Sequence, residues 1–224
     1  MSDNKAVTAT RPEPRALEGR YIRLTPMTRD DLQELEDAIA HPSVFQRGYG
    51  GGPEGLQDAV AGFAEWAGQY YQWESGIPFI ARAVGGELDG VVVGTSTLGD
   101  FIEAREHAHI GWTAWDPRVW GTQVNPEAKL LMLQYAFDAG FGRVKIQTDE
   151  LNDRSRAAIA GIGAKFEGIV RRDSLMPSGR WRNSAVYSII IDEWPDVRAD
   201  LRNRLERWQG QPVQYRDKHG RASD

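Results

Sequence analysis

The stretch from His109 to Gly168 constrains the fold more than any other part of the chain, because extended and helical patterns alternate there with a turn signal at each change. His109-Ile110-Gly111-Trp112-Thr113-Ala114-Trp115 reads as a strand, and Asp116 to Asn125 as a turn holding Pro117 and Gly121. A helix is expected to open at Pro126 with Asn125 as its cap, since proline suits the first helical position and an asparagine side chain accepts from the N–H groups that follow. That helix stops at Gly140 to Gly142, and Arg143 to Thr148 reads as the next strand. Asn152-Asp153-Arg154-Ser155 then opens a second helix, closing at Gly163-Ala164 before Phe166-Glu167-Gly168. A strand feeding a turn at a helix start favours an anion, because unpaired backbone N–H groups and the helix dipole both face it.

The flanking segments extend this α/β pattern. Residues 1–16 are polar and contain Pro12 and Pro14, which predicts a disordered lead-in. Tyr21 to Leu24 reads as a first strand, and Thr28 to Asp31 as the cap of a helix with Leu32, Leu35, Ala38 and Ile39 on one stripe, ended by His41-Pro42. Gly48 to Pro53 lacks the Gly-Lys-Ser/Thr ending of a nucleotide P-loop and follows no strand, so it reads as a flexible joint. One helix is expected over about 54–74, with Phe63, Trp66, Tyr70 and Trp73 as a packing face. Ile77 to Val84 and Gly90 to Leu98 read as strands joined by Gly85 to Asp89, and Phe166 to Leu175 with Ala185 to Ile191 as a hairpin around Pro177-Ser178-Gly179. Val197, Leu201, Leu205 and Trp208 predict a further helix, followed by a frayed polar tail from about Gly210.

Several function classes are set aside by composition. A net charge of −5 argues against sequence-independent nucleic-acid binding, and the Arg171, Arg172, Arg180, Arg182 cluster reads as a solvated hairpin flank. With no cysteine there is no thiolate metal site or cysteine nucleophile. His41, His107, His109 and His219 form no convincing ligand set, so no metal is expected, and no Gly-x-Ser-x-Gly elbow is present. Ser188 to Ile191 is too short to cross a bilayer and the N-terminus resembles no signal peptide, so the expectation is a cytoplasmic protein with no nucleic-acid or membrane partner.

The ordered set Ile110-Gly111-Trp112, Pro117, Gly121, Asn152 with Ser155, Gly163-Ala164, Phe166-Glu167-Gly168, Tyr187-Ser188 and Glu193-Trp194 resembles the GNAT acyl-CoA-dependent N-acyltransferases, and most the ribosomal-protein N-acetyltransferase branch. The resemblance covers roughly residues 17–195, leaving 196–224 as an appended helix and polar tail. It implies a mixed, centrally splayed sheet flanked by helices on both faces. It also implies acetyl-CoA, or another short acyl-CoA, as co-substrate, with the diphosphate wrapped by Trp120, Gly121, Thr122, Gln123, Val124 and Asn125. Trp120, Gln123 and Asn125 depart from the family pattern of a polar residue, a second glycine and a final Gly or Ala, yet all three keep their backbone groups. The resemblance further places Asn152 and Ser155 in the cofactor element and the N–H of Trp115 along the pantetheine arm. Arg154 and Arg156 are candidates for the nucleotide phosphate.

An amine attacks a thioester only when uncharged, and the oxyanion must be held before the thiolate leaves. Ser155 is the candidate for the departing sulfur, since the tyrosine many relatives carry on this helix corresponds to Ile159 here. His109, where many relatives have a glutamate, is a candidate base, and Asp173 is another. The implied acceptor is a primary amine, either a small molecule or a protein N-terminus. Two rivals stand beside the enzyme reading. An acyl-CoA-binding sensor without turnover would bind the ligand but release no thiol, whereas a scaffold that binds no CoA would show no thermal shift. Self-association through the C-terminal helix or a sheet edge is compatible with the sequence.

Overall fold

The computed structural model describes residues 9–216; residues 1–8 of the expected lead-in, 217–224 of the expected tail, and His219 lie outside the described residues. One eight-stranded sheet runs in the order β1-β2-β3-β4-β5-β6-β8-β7. Its strands are β1 (Leu17–Glu18), β2 (Ile22–Pro26), β3 (Ile77–Ala83), β4 (Val92–Ile102), β5 (His107–Trp115), β6 (Arg143–Asp149), β7 (Lys165–Leu175) and β8 (Trp181–Ile190). The helices are α1 (Leu32–Ile39), α2 (Pro42–Phe45), α3 (Pro53–Ala61), α4 (Phe63–Tyr70), α5 (Val124–Asp138), α6 (Asp153–Gly161) and α7 (Trp194–Glu206). Neighbouring residues of one strand serve opposite sides, as side-chain alternation requires. Phe79 and Ala81 of β3 join a core with α5 and α7, while Ile80 joins the core of α1, α3 and α4. Helices therefore flank both faces of the sheet, and none is long and apolar enough to cross a membrane among the described residues.

The sheet opens at its centre. β5 and β6 are its parallel pair, joined only at His107↔Arg143, Ala108↔Val144 and His109↔Lys145. Beyond that point β5 continues to Trp115 and β6 to Asp149 without pairing to each other. The divergence has a local cause on β5. Thr95 pairs with Ala114 and Thr97 with Gly111, so Ser96 faces both Trp112 and Thr113, and Trp112 sits at φ 49°. Such a β-bulge bends a strand and adds twist.

Four expectations are corrected. First, the helix expected over 54–74 is broken at Gly62, whose φ of −171° and ψ of 85° are extended. Glycine is among the residues that favour a helix interior least, and the break lets α4 turn its aromatics inward. Trp66 stacks on Tyr70 at 4.9 Å, while Trp73, beyond the helix, donates its indole N–H to the Ala67 carbonyl. Second, α5 opens at Val124, not Pro126, and Asn125 does not cap it. Its Oδ1 instead accepts from the buried indole of Trp115 at 3.0 Å. Third, residues 9–16 are held on the body: Ala9 is buried, Thr10 N–H donates to Ala139, Tyr135 donates to the Glu13 carbonyl, and Arg11 donates to the carbonyls of Glu74 and Gly76. Fourth, the chain from Gly210 to Arg216 does not fray. α7 returns it over the start of α5, where Val213 is buried, Gln123 Nε2 donates to Gln211 and Arg216 N–H to Arg118. In both terminal segments it is backbone carbonyl and N–H groups that bond, and polar composition does not advertise those.

Candidate active site

The splay between β5 and β6 forms a cleft of about 640 Å³. Its walls are β5 from His109 to Trp115, β6 from Ile146 to Asp149, the start of α6 and the turn before α5. At one end lies that turn. Gly121 takes φ 73°, a left-handed conformation that side chains disfavour. Among the described residues the N–H groups of Gly121, Gln123 and Asn125 have no acceptor, whereas those of Trp120, Thr122 and Val124 bond to Pro117, Val119 and the Thr122 hydroxyl. Alternate free N–H groups at the start of a 15-residue helix make an anion cradle.

The side chains of the turn are otherwise engaged. Thr122 donates to Val119, Gln123 is buried on Gln211 and Val124 is in the core; with the N–H groups of Thr122 and Val124 already bonded, only Gln123 of these three keeps a free backbone donor, and neither Gln123 nor Val124 lines the cleft. Trp120 lines the cleft; its indole N–H donates to the Trp115 carbonyl at 3.0 Å, and the Arg154 guanidinium lies 3.6 Å over its ring. Asn152 caps α6, its Oδ1 accepting from Ser155 N–H at 3.1 Å, and Ser155 lines the cleft. Arg156 is diverted, donating to the Tyr187 hydroxyl and the Glu150 carbonyl.

Strand alternation fixes the direction of the Trp115 N–H. Asp116 N–H donates to Val93 on β4, so the N–H and carbonyl of Trp115 point to the opposite, open edge of β5. The bond from Trp120 to that carbonyl agrees.

At the other end of the unpaired segment stands His109. It is buried, and its Nδ1 is 2.7 Å from Asp100 Oδ2. Asp100 also accepts from Gln72 Nε2, and the histidine beside it holds its carboxyl well below the usual carboxylate range. An ionised carboxylate only accepts, so Nδ1 carries the proton and Nε2 the lone pair. That Nε2 is buried without a partner among the described residues. Burial lowers the histidine's pKa, opposed by the bond to Asp100. Gly111 makes room for the ring, since a Cβ there would stand 2.8 Å from it. His107, by contrast, is not on the cleft wall.

Asp173 reaches the cleft rim from β7 but is exposed, and its Oδ2 accepts from Ser184 at 2.6 Å. Tyr49, Tyr70 and Arg182 complete that rim, and Arg182 Nε is buried without a partner among the described residues. Sequence reading did not single out Asp100, Gln72 or Lys129, the last a buried lysine on the cleft floor. One signal was available for the first: the turn near Glu103 to Glu106 pairs Gly99 with His109 across a hairpin, which brings Asp100 to the histidine.

The fold has known counterparts. A 28% identical protein from T. thermophilus, described as an acetyltransferase, superposes with a TM-score of 0.71 over 88% of this chain and 100% of that one. A GCN5-related N-acetyltransferase from Brucella melitensis gives 24% identity and a TM-score of 0.78 over 98% and 96%. Mycobacterium smegmatis RimJ, in complex with CoA-disulfide, gives 21% and 0.65 over 85% and 92%; at these identities the last two speak for the fold. No curated protein matches the chain. The family model described as "Acetyltransferase (GNAT) domain" matches residues 22–165, more than half of the sequence. The splayed eight-stranded sheet is thus the fold of these proteins, and the chain belongs to the GNAT family.

Proposed function

We propose that this GNAT protein transfers an acetyl or other short acyl group from CoA to a primary amine by direct attack, with His109 as the base. The observation that carries the reading is a single cleft with a free N–H cradle at one end and the unpartnered Nε2 of His109 at the other. Gly121, Gln123 and Asn125 N–H groups suit a diphosphate, and Arg154 suits the nucleotide phosphate. The Trp115 N–H, turned to the open edge, suits the thioester carbonyl and the oxyanion that forms from it. His109 Nε2 accepts the amine's proton, while Asp100 holds the ring's tautomer and stabilises the imidazolium. Asp173, already bonded to Ser184, is the weaker base. Ser155 supplies a hydrogen bond near the departing sulfur.

Thermal stability with acetyl-CoA, longer acyl-CoAs and free CoA tests the reading. At about 100 times its Kd a ligand of the folded state adds about 2.7 kcal/mol, or roughly 5–10 °C in Tm for a chain of this size. No shift with any CoA species would remove the cofactor site. A shift without thiol release across an amine panel would favour the acyl-CoA sensor. Ser155→Ala should slow turnover several-fold, about the worth of one hydrogen bond, and unchanged turnover would remove Ser155 from the mechanism.

A further inference from the structure

Lys129 is 4% exposed, and no carboxylate of the described residues pairs with it. An ammonium is expensive to bury alone, so this one calls for a reason. It stands on α5 one turn beyond Asn125, on the same helix face, since i and i+4 align. Its Nζ lies 2.9 Å from Thr113 Oγ1 and 3.2 Å from Ser96 Oγ, and the two hydroxyls are 2.7 Å apart. These hydroxyls meet at the bulge. The extra residue there turns Thr113 toward α5 while Trp112 packs on the opposite side with His109. Thr113 also lines the cleft, two residues along the open edge from Trp115, about 7 Å. Lys129 thus lies on the cleft floor with its amine bonded to the Thr113 hydroxyl, beside the segment where the thioester is expected.

We infer that Lys129 and Thr113 form a proton relay to the departing CoA sulfur, a step that rests on the acyl-transfer reading. As the C–S bond breaks, Thr113 Oγ–H gives its proton to sulfur and takes one from the Lys129 ammonium. Lys129 is left as a neutral amine and is reprotonated from solvent after product leaves; the acceptor's own proton goes separately to His109. Thr113 is the group that meets substrate, and Lys129 acts through it as a positioning residue. Ser96 orients both. Burial lowers the Lys129 pKa to about 7, which suits an acid working near neutrality against a thiolate that prefers to be protonated there. The charged groups around it are few: His109 on β5 senses the lysine, with Asp100 and Lys145 beyond that ring. His109 and Lys129 are thereby split into a base that must be neutral and an acid that must be charged.

The test uses the full chain, acetyl-CoA and hydroxylamine, an acceptor that is uncharged at neutral pH and so bypasses the base. Thiol release by the wild type should fall as pH rises through about 7, because the ammonium form is lost. Lys129→Met should lower release about 100-fold and abolish that limb, while the thermal shift with acetyl-CoA is retained. Thr113→Val, which leaves the lysine in place, should reproduce both effects. Lys129→Arg keeps a charge but has no proton to give near neutrality, so it should not restore the rate. A limb near pH 7 that persists in Lys129→Met, or a wild-type rate in Lys129→Arg, overturns the relay alone. A wild type that neither binds acetyl-CoA nor releases thiol overturns the acyl-transfer reading, and the relay with it.

Discussion

His109→Gln should lower kcat/KM by about 10²- to 10⁴-fold, the usual worth of a positioned base. With hydroxylamine, which needs no deprotonation before attack, the loss should shrink. The pH dependence follows from the direction of the histidine's shift. Burial lowers its pKa below 6.5, so the base is already neutral at neutral pH and the acidic limb of the wild type lies below 6.5. Glutamine does not titrate, and the limb should vanish with the substitution. Asp100→Asn should cost a similar factor, since a neutral amide no longer dictates which ring nitrogen carries the proton. The pair also sets an acid sensitivity. A histidine whose folded pKa is depressed binds its proton more readily when unfolded, so stability declines as pH falls through 6.5 toward the folded value. The lowered Asp100 pKa acts in the same direction at still lower pH, because its contribution is lost as the carboxylate protonates. Equal amine turnover in His109→Gln and wild type across pH 5–8 would rule out the base.

Glu127→Ala should cost about 3 kcal/mol or more, which for a chain of this length is about 10 °C in Tm. The buried Glu127 carboxylate accepts from the N–H groups of Arg20, Tyr21 and Ile22 at 2.8, 2.7 and 2.7 Å. Removing it strands the buried donors of Tyr21 and Ile22 away from water. Gly19 belongs to the same device, because a Cβ there would stand 2.6 Å from the carboxylate. Burial raises the Glu127 pKa and the three N–H bonds oppose it, so charge and partners come as a set. Glu127→Gln, which keeps the shape and loses the charge, should fall between the two. A Tm within about 2 °C of wild type for Glu127→Ala would mean that the turn finds other acceptors.

Glu127 also marks where local reasoning stops. Read locally, it is an acidic residue in the first turn of a helix, favourable to the dipole. In the folded chain it bonds backbone more than 100 positions earlier in sequence. Lys129 misleads in the same way, since a lysine in a helix reads as solvent-facing until the helix is seen to lie against the bulge. The stripe of α1, the Thr28–Asp31 cap, the Asn152 cap of α6 and the β7–β8 hairpin were all legible, because each rests on a short-range pattern or on two strands adjacent in sequence. Asn125 was legible as a capping residue and was claimed instead by the indole of Trp115.

By itself, then, the order of residues from His109 to Gly168 determined the element types, the family and the position of the turn before α5, through periodicity, glycine placement and capping chemistry. Only the tertiary structure decided which charges are buried, which strand edge is left open and which polar atoms meet across it. Those outcomes depend on distances between segments far apart in sequence, and a burial cost or a hydrogen bond arises only once such segments have been brought together.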